Sequence, residues 1–360
     1  MAKKRKRTSL APYVQHLAPS SSSPTDRNHE SDGDNAGHLN LSAYHPDLSP
    51  ASLSASDLAE YNSLLPLCMV HPTTFPPNMR KYWRHRFSLF SLYSSGCLLD
   101  EQSWYSVTPE SVAFRIAKRC ATDKVVVDLF AGAGGNAIQF AMTCKKVLAV
   151  ELDPVKLRLA RWNAKVYGVE DRIQFVQGDS MQLLERMKEW REEKGKNGRE
   201  DEELWKGITA ADLNDVEVVF LSPPWGGVDY AQPASTTTST AEDSAPSKPI
   251  CAAPTYSLSS ILPINGVELF SRVGTAFDTT NIAYYLPRNT SLDQLSHLEK
   301  LITTRHNPEP DASAVMNANK SRVKVEYQYV NYGSKLSSLT AYYGQLATEW
   351  DGQADDWHKS

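Results

Sequence analysis

The chain has 360 residues, 41% of them hydrophobic and 22% charged, and a net charge of −4, which allows one or two domains and excludes a uniformly basic nucleic-acid coat. Its five cysteines, Cys68, Cys97, Cys120, Cys144 and Cys251, are scattered and form no CxxC pair. That argues against a disulfide framework or a zinc site and for a reducing compartment, and no apolar run approaches transmembrane length.

Residues 1–60 are rich in Ser, Pro, Asp, Asn and His and are expected to be disordered. Lys3, Lys4, Arg5, Lys6 and Arg7 form a compact basic run with no apolar segment behind it. This is the pattern of a nuclear localisation signal and not of a secretory leader. A solvated tail that touches RNA nonspecifically is the alternative.

Residues 61–110 are expected to form a small helical extension. Within it Lys81–Leu92 predicts one helix, with Tyr82, Phe87 and Phe90 on or near its apolar face. Lys81, Arg84 and Arg86 would lie on a basic side that faces phosphate, or only solvent. Thr108 reads as an N-cap with Pro109 at the first helical position, opening a helix through Arg119.

From residue 111 to 350 strands and helices alternate, the pattern of a parallel α/β sheet. Val125–Val127 is a β-branched run ending in Asp128, followed by a glycine turn containing Gly132, Gly134 and Gly135 and then a helix. Lys146–Val150 predicts the second strand, ending in Glu151. Asp153-Pro154 opens a helix that Gly168 closes. Ile173–Val176 ends in Gly178-Asp179, and Val216–Leu221 runs into Ser222-Pro223-Pro224-Trp225. A helix follows in the second half of Leu258–Arg272, then a strand at Ile282–Leu286, Arg288-Asn289, a helix over Leu292–Thr303, and a closing antiparallel pair at Val323–Val330 and Ser338–Tyr343. Insertions are expected at 186–211 (a solvated, interrupted helix), 231–257 and 304–321, and a tail at 351–360.

Open α/β sheets bind ligands at the carboxyl ends of their strands. Here those ends carry Asp128, Glu151, Asp179, Ser222–Trp225 and Arg288-Asn289. A dinucleotide site would need GxGxxG spacing, which the turn lacks, and Asp128 would repel a pyrophosphate. The carboxylates suit a cationic ligand such as S-adenosylmethionine, with Glu151 on the ribose hydroxyls and Asp179 toward the adenine amine. Two prolines stop the fourth strand and hold stiff carbonyls beside an aromatic plate, Trp225, which suits a flat base bearing an exocyclic amine. A strand end, a proline turn and a core tryptophan is the plainer reading of that stretch.

The segments VVVDLFAGAGGNAIQFA, VLAVELDPVKLRLARWNAKVYGV, IQFVQGDS and VVFLSPPWGG resemble motifs of class I methyltransferases. Together with KYWRHRF, WYSVTPE and YYLPRN they resemble the trimethylguanosine synthase family, over about Arg80 to Gln345 without the insertions. The resemblance implies a Rossmann-like fold with a central, mostly parallel sheet, a closing antiparallel pair and a helical N-terminal extension. It implies S-adenosylmethionine-dependent methylation of guanine N2 in the 7-methylguanosine cap of small nuclear and nucleolar RNAs, in the nucleus, by a monomer without metal or membrane attachment, working with proteins of those ribonucleoprotein particles. Phe90, Thr108, Asp128, Gly132, Gly134, Glu151, Asn163 and Asp179 would line the donor pocket. Trp225 would stack on the base, Ser222 and Pro223 would meet its reacting edge, and Lys81, Arg288 and Asn289 would contact the cap phosphates. Glu151 departs from the Asp expected in animal relatives, and the long insertions leave the substrate entrance open. Competing readings are an exocyclic-amine methyltransferase of tRNA or rRNA, a catalytically silent RNA-binding module, and a dehydrogenase.

Overall fold

The computed structural model describes residues 53–193, 201–226, 255–306, 323–330 and 333–348. The KKRKR run, most of the 231–257 and 304–321 insertions and the 351–360 tail lie outside the described residues.

The extension begins with α1 (Ala55–Leu64), so residues 55–60 are helical and not part of a disordered tail. Ser54 caps it by accepting the Asp57 N–H, and Tyr61 and Leu64 are buried, with the Tyr61 ring 5.3 Å from Trp162. Lys81–Leu92 is not one helix. It divides into α2 (Arg80–Trp83) and α3 (Arg86–Leu89), bent at Arg84-His85. The bend turns Trp83 inward to rings of Phe75, Tyr93 and Trp104, 5.9, 5.8 and 5.9 Å away. Phe90 leaves the helix in extended conformation and is buried against Tyr167, whereas Phe87 is 46% exposed, contrary to a shared apolar face.

After α4 (Ser103–Ser106) comes α5 (Glu110–Arg119), with Pro109 at its N-cap and no side-chain cap. Thr108 does not cap it: its buried hydroxyl accepts from Asn136 Nδ2 at 3.0 Å. The competing buried amide wins that hydroxyl, because an unpaired buried donor would cost about 1–3 kcal/mol.

The core alternates as expected: β1 (Val125–Asp128), α6 (Gly135–Thr143), β2 (Lys146–Glu151), α7 (Pro154–Val166), β3 (Ile173–Gln177) and α8 (Ser180–Glu193). A hairpin of β4 (Glu203–Trp205) and β5 (Ile208–Thr209) precedes α9 (Ala210–Asn214) and β6 (Val216–Leu221). Then follow α10 (Gly266–Phe277), β7 (Ile282–Pro287), α11 (Leu292–His306), β8 (Lys324–Val330), β9 (Lys335–Tyr342) and α12 (Gln345–Thr348). The seven-stranded sheet runs β3-β2-β1-β6-β7-β9-β8. Its first five strands are parallel, and β9 joins β7 and β8 antiparallel. The Rossmann-like α/β architecture with its closing antiparallel pair is therefore present.

Two apolar layers cover the sheet. The extension, α5, α6 and α7 bury one face, and α8, α10 and α11 the other. The 186–211 stretch is less solvated than its charge suggests. Met187, Trp190, Leu204 and Ile208 are all buried, because α8 must cover the second face before the charged turns begin. Among the described residues no helix is long and apolar enough to cross a membrane.

Candidate active site

The strand order reverses between β1 and β6, so the loops after these neighbours face each other across a crevice. Asp128 ends β1 fully buried. Its Oδ1 accepts the Phe130 N–H at 3.2 Å, and its Oδ2 is buried with no partner. Burial pushes this carboxyl up to about 7; the Phe130 N–H pulls it down and the nearby Glu151 charge adds to the rise.

The glycine turn is locked to the next strand end. Glu151 Oε2 accepts the Gly132 N–H at 2.8 Å, and its Oε1 accepts the Asp153 N–H at 2.9 Å. Gly134 has φ +91°, and a Cβ there would lie 3.1 Å from Ala160 of α7. Only glycine lets the turn take that conformation and press α7 this closely. At the third strand end the Glu151 carbonyl accepts the Gly178 N–H at 2.9 Å, and Asp179 Oδ1 accepts from Met181 at 2.8 Å. Asp128, Gly132, Gly134, Glu151 and Asp179 are thus brought together. Among the described residues no basic side chain bonds the carboxylates of Asp128, Glu151 or Asp179, so these acceptors suit a cationic nucleoside and not a phosphate.

Beyond β6, Ser222 Oγ donates to the Phe130 carbonyl at 3.4 Å, on the same loop that Asp128 holds. Its hydrogen is thereby spent, and its lone pairs are left to accept an N–H. Pro223 is buried and Pro224 is exposed. The Pro224 carbonyl accepts the Leu262 N–H at 3.4 Å, which leaves the hook's second acceptor to Pro223.

Trp225 is half-buried and packs against both apolar layers. Its ring lies 5.2 Å from Tyr285 at 54°, and its carbonyl accepts the Tyr256 hydroxyl at 3.2 Å. The Tyr256 N–H donates to the Asn289 carbonyl at 2.8 Å, and its carbonyl accepts from Ser291 at 3.0 Å. The loop after β7 therefore positions the loop after β6. Arg288 is exposed and donates to the Leu336 carbonyl at 3.1 Å.

The remaining expected residues stand differently. Asn163 is fully buried, and its amide is spent on backbone: Oδ1 accepts from Leu98 at 2.8 Å, and Nδ2 donates to Leu98 and Ala133 carbonyls, each at 3.0 Å. It does not offer a polar group to a donor pocket; it ties the extension to the glycine turn. Phe90 is 1% exposed, its ring closed over by Tyr167. Lys81 is exposed, with its ammonium 5.1 Å from the Tyr82 ring. Tyr256 does not stand out in the sequence, and Tyr285 does so only as part of YYLPRN, with no role of its own. Tyr285 has a local signal, since it shares a strand face with buried Ala283 beside the site, but Tyr256 has none. Among the described residues no cluster of His, Cys, Asp or Glu is suited to a metal.

Comparison with known proteins agrees with this geometry. The family model described as RNA cap guanine-N2 methyltransferase matches residues 123–346. Trimethylguanosine synthase of Schizosaccharomyces pombe is 32% identical over 248 residues, covering 68% of this chain and 84% of that protein. Trimethylguanosine synthase of Saccharomyces cerevisiae is 29% identical over 229 residues, covering 62% of this chain and 58% of that protein.

Proposed function

Since the chain belongs to the RNA cap guanine-N2 methyltransferase family, we propose that it uses S-adenosylmethionine to convert the 7-methylguanosine cap of small nuclear and nucleolar RNAs to 2,2,7-trimethylguanosine. The observation that carries this reading is that Ser222-Pro223 and Trp225 follow β6, the strand beside β1, whose end holds the buried, unpartnered Asp128 oxygen, and that Ser222 bonds the loop after β1. One side of the crevice is built for a cation and the other for a flat base with an amine.

The residues present fit such a donor. Asp128 and Glu151 supply negative charge beside the glycine turn, and Asp179 supplies an acceptor for an adenine amine. When bound, the sulfonium donor supplies an electrophilic methyl carbon and leaves as a neutral thioether, so no strong general acid is required. Ser222 Oγ and the Pro223 carbonyl would accept the two N2 hydrogens. That draws the amine out of conjugation with the ring and frees its lone pair to form the new N–C bond. The surplus N2 proton passes to solvent. Rate enhancement then rests on alignment, for which effective molarities of about 10⁵ M or more are available.

Trp225 would stack on the base. A 7-methylguanine is cationic, so the face of the indole adds about 2 kcal/mol at a desolvated site. That is about thirtyfold, a preference for a cap already methylated at N7. Arg288 and Asn289, on the neighbouring loop, and Lys81 would meet the cap phosphates. The basic run at Lys3–Arg7 supports nuclear import.

The deciding experiment is labelled methyl transfer to a 7-methylguanosine cap, an unmethylated cap and bulk tRNA, with mono- and dimethylated N2 products resolved. A preference of about thirtyfold or more for the 7-methylated cap over the unmethylated cap is expected, with no transfer to tRNA. Equal transfer to tRNA would replace this reading with a broader amine methyltransferase, and failure to bind the donor would replace it with a silent RNA-binding module.

A further inference from the structure

The extension carries a basic and aromatic surface that the cap site does not use in full. Arg80, Lys81 and Arg84 are exposed within five residues, in a chain whose net charge is −4. Elsewhere Lys145, Lys146, Lys165, Arg272 and Arg119 each meet a carboxylate. Among the described residues none of Arg80, Lys81 and Arg84 has a carboxylate in ion-pair reach. Arg80 opens the single turn of α2 and Arg84 caps its end, so both stand at the surface on either side of Trp83, whose ring points into the aromatic cluster.

Beside them Phe87 is 46% exposed. It is not a loose surface ring. The Arg86 guanidinium sits 4.4 Å from its centroid and 4.6 Å from that of Trp83, and donates to the Trp83 carbonyl at 3.1 Å. The edge of the Phe87 ring meets Tyr93, 6.3 Å away at 89°. A large aromatic fixed in place and left in water, next to unneutralised cations, has the composition of a single-strand nucleic-acid platform.

Resting on the function proposed above, we infer that the outer surface of α2 and α3 holds the single-stranded RNA that follows the cap. Arg80 and Arg84 contact backbone phosphates, and Phe87 stacks beneath a base. Lys81 lies between the two arginines in sequence, so a chain whose triphosphate rests on Lys81 begins at this surface. Charge complementarity names the occupant: cations with no carboxylate partner among the described residues suit a polyanion, and the exposed Phe87 that follows them suits one that carries bases.

The test uses the full chain, the double variant Arg80→Gln/Arg84→Gln, and the separate variants Phe87→Ala and Arg84→Lys. Binding of an uncapped single-stranded RNA is followed by fluorescence anisotropy across a salt series. Methyl transfer is compared on a capped oligonucleotide and on the cap dinucleotide. The double variant should bind uncapped RNA about tenfold more weakly, and its slope of log K against log salt should shrink by about 1.4, at about 0.7 per lost phosphate contact. Phe87→Ala should weaken binding about fivefold or more without changing the slope. Arg84→Lys should keep the slope. On the cap dinucleotide all variants should stay within about twofold of the parent.

Unchanged binding of uncapped RNA overturns the inference. So does an equal loss on dinucleotide and oligonucleotide, which would assign these residues to the cap itself. The RNA-binding arm needs no methyl transfer. Inactivity on every cap substrate would therefore refute the proposed activity while leaving this surface to be judged by the anisotropy alone.

Discussion

Asn163 holds both backbone groups of Leu98, accepting its N–H at 2.8 Å and donating to its carbonyl at 3.0 Å. The same Nδ2 reaches the Ala133 carbonyl in the glycine turn. One buried side chain thus joins the helical extension to the donor side of the crevice. Asn163→Asp keeps the shape but cannot donate, and it leaves two carbonyls facing a carboxylate. A destabilisation of roughly 3 kcal/mol or more is expected in urea unfolding, at one to three for each buried group left unpaired. Asn163→Asp should also weaken donor binding, since the turn loses its anchor. Parent-like stability would show that the extension is held elsewhere.

Trp225 is positioned by Tyr256, whose hydroxyl donates to the Trp225 carbonyl. Trp225→Ala should reduce cap affinity by about thirtyfold or more, given the loss of a cation–π contact of about 2 kcal/mol, with donor affinity unchanged. Tyr256→Phe removes only the hydroxyl, and with it about 1 kcal/mol of neutral hydrogen bond, so cap affinity should fall about fivefold. Fluorescence titration with a 7-methylated cap analogue separates the two. Equal affinity in parent and Trp225→Ala would remove this residue from base recognition.

Asp128 should give donor binding a pH dependence. Burial raises its carboxyl from 3.8 to about 7 in the unliganded protein. Below about 7 it is largely neutral, and it ionises as pH rises, so affinity for a cationic donor should climb from pH 6 to 8 by about tenfold or less. Asp128→Asn should bind weakly and show a flat profile by calorimetry. Stability runs the other way. A carboxyl with a raised folded value stabilises the fold fully below the unfolded value of 3.8, and this stabilisation is lost as pH rises to about 7. The unliganded parent should therefore lose stability relative to Asp128→Asn between those two values and run parallel to it above them. A flat difference over that window would mean that Asp128 is ionised throughout.

At the opposite end of the sheet Arg119 is buried, with Nε donating to the Leu346 carbonyl at 2.9 Å and Nη1 paired with Glu326. It clamps α5 to β8 and α12. Arg119→Ala leaves Glu326 without its counterion in a largely buried position, for a cost of roughly 3 kcal/mol. The loss should appear in thermal unfolding, with the Michaelis constant for the cap little altered. A large change in that constant at unchanged stability would count against a purely structural clamp.

Much of this was legible in the chain itself. The parallel strands announce themselves because β-branched runs such as Val125–Val127 are buried on both sheet faces, and each runs into a polar residue. Asp153 before Pro154 marks a helix start on local chemistry alone, and the structure shows that cap accepting the Val155 N–H. The site residues at strand ends follow from the same logic. The misreadings come from contacts that no local pattern encodes. Thr108 has every feature of a cap, but a buried amide 28 residues away takes its hydroxyl. The resemblance puts Asn163 in the donor pocket, but Leu98, 65 residues earlier, folds back on it and engages its amide. The break between α2 and α3 answers an aromatic cluster gathered from Phe75 to Trp104, which a straight helix over Lys81–Leu92 would not embrace.

The bond from Tyr256 to Trp225 has a consequence for how the chain can change. Residues 226 and 255 are the last described positions on either side of an undescribed stretch, and each neighbours a member of that bond. The two ends of the stretch therefore leave the protein side by side, stapled by a hydroxyl and, through Asn289, by the sheet. The placement of the indole is thereby set by Tyr256 and Asn289, on described chain that follows the stretch, and by the Tyr285 ring of the sheet. A chain altered only between residues 226 and 255 keeps every bond that orients this indole, so its grip on a base would be inherited from the sheet and not from the altered stretch.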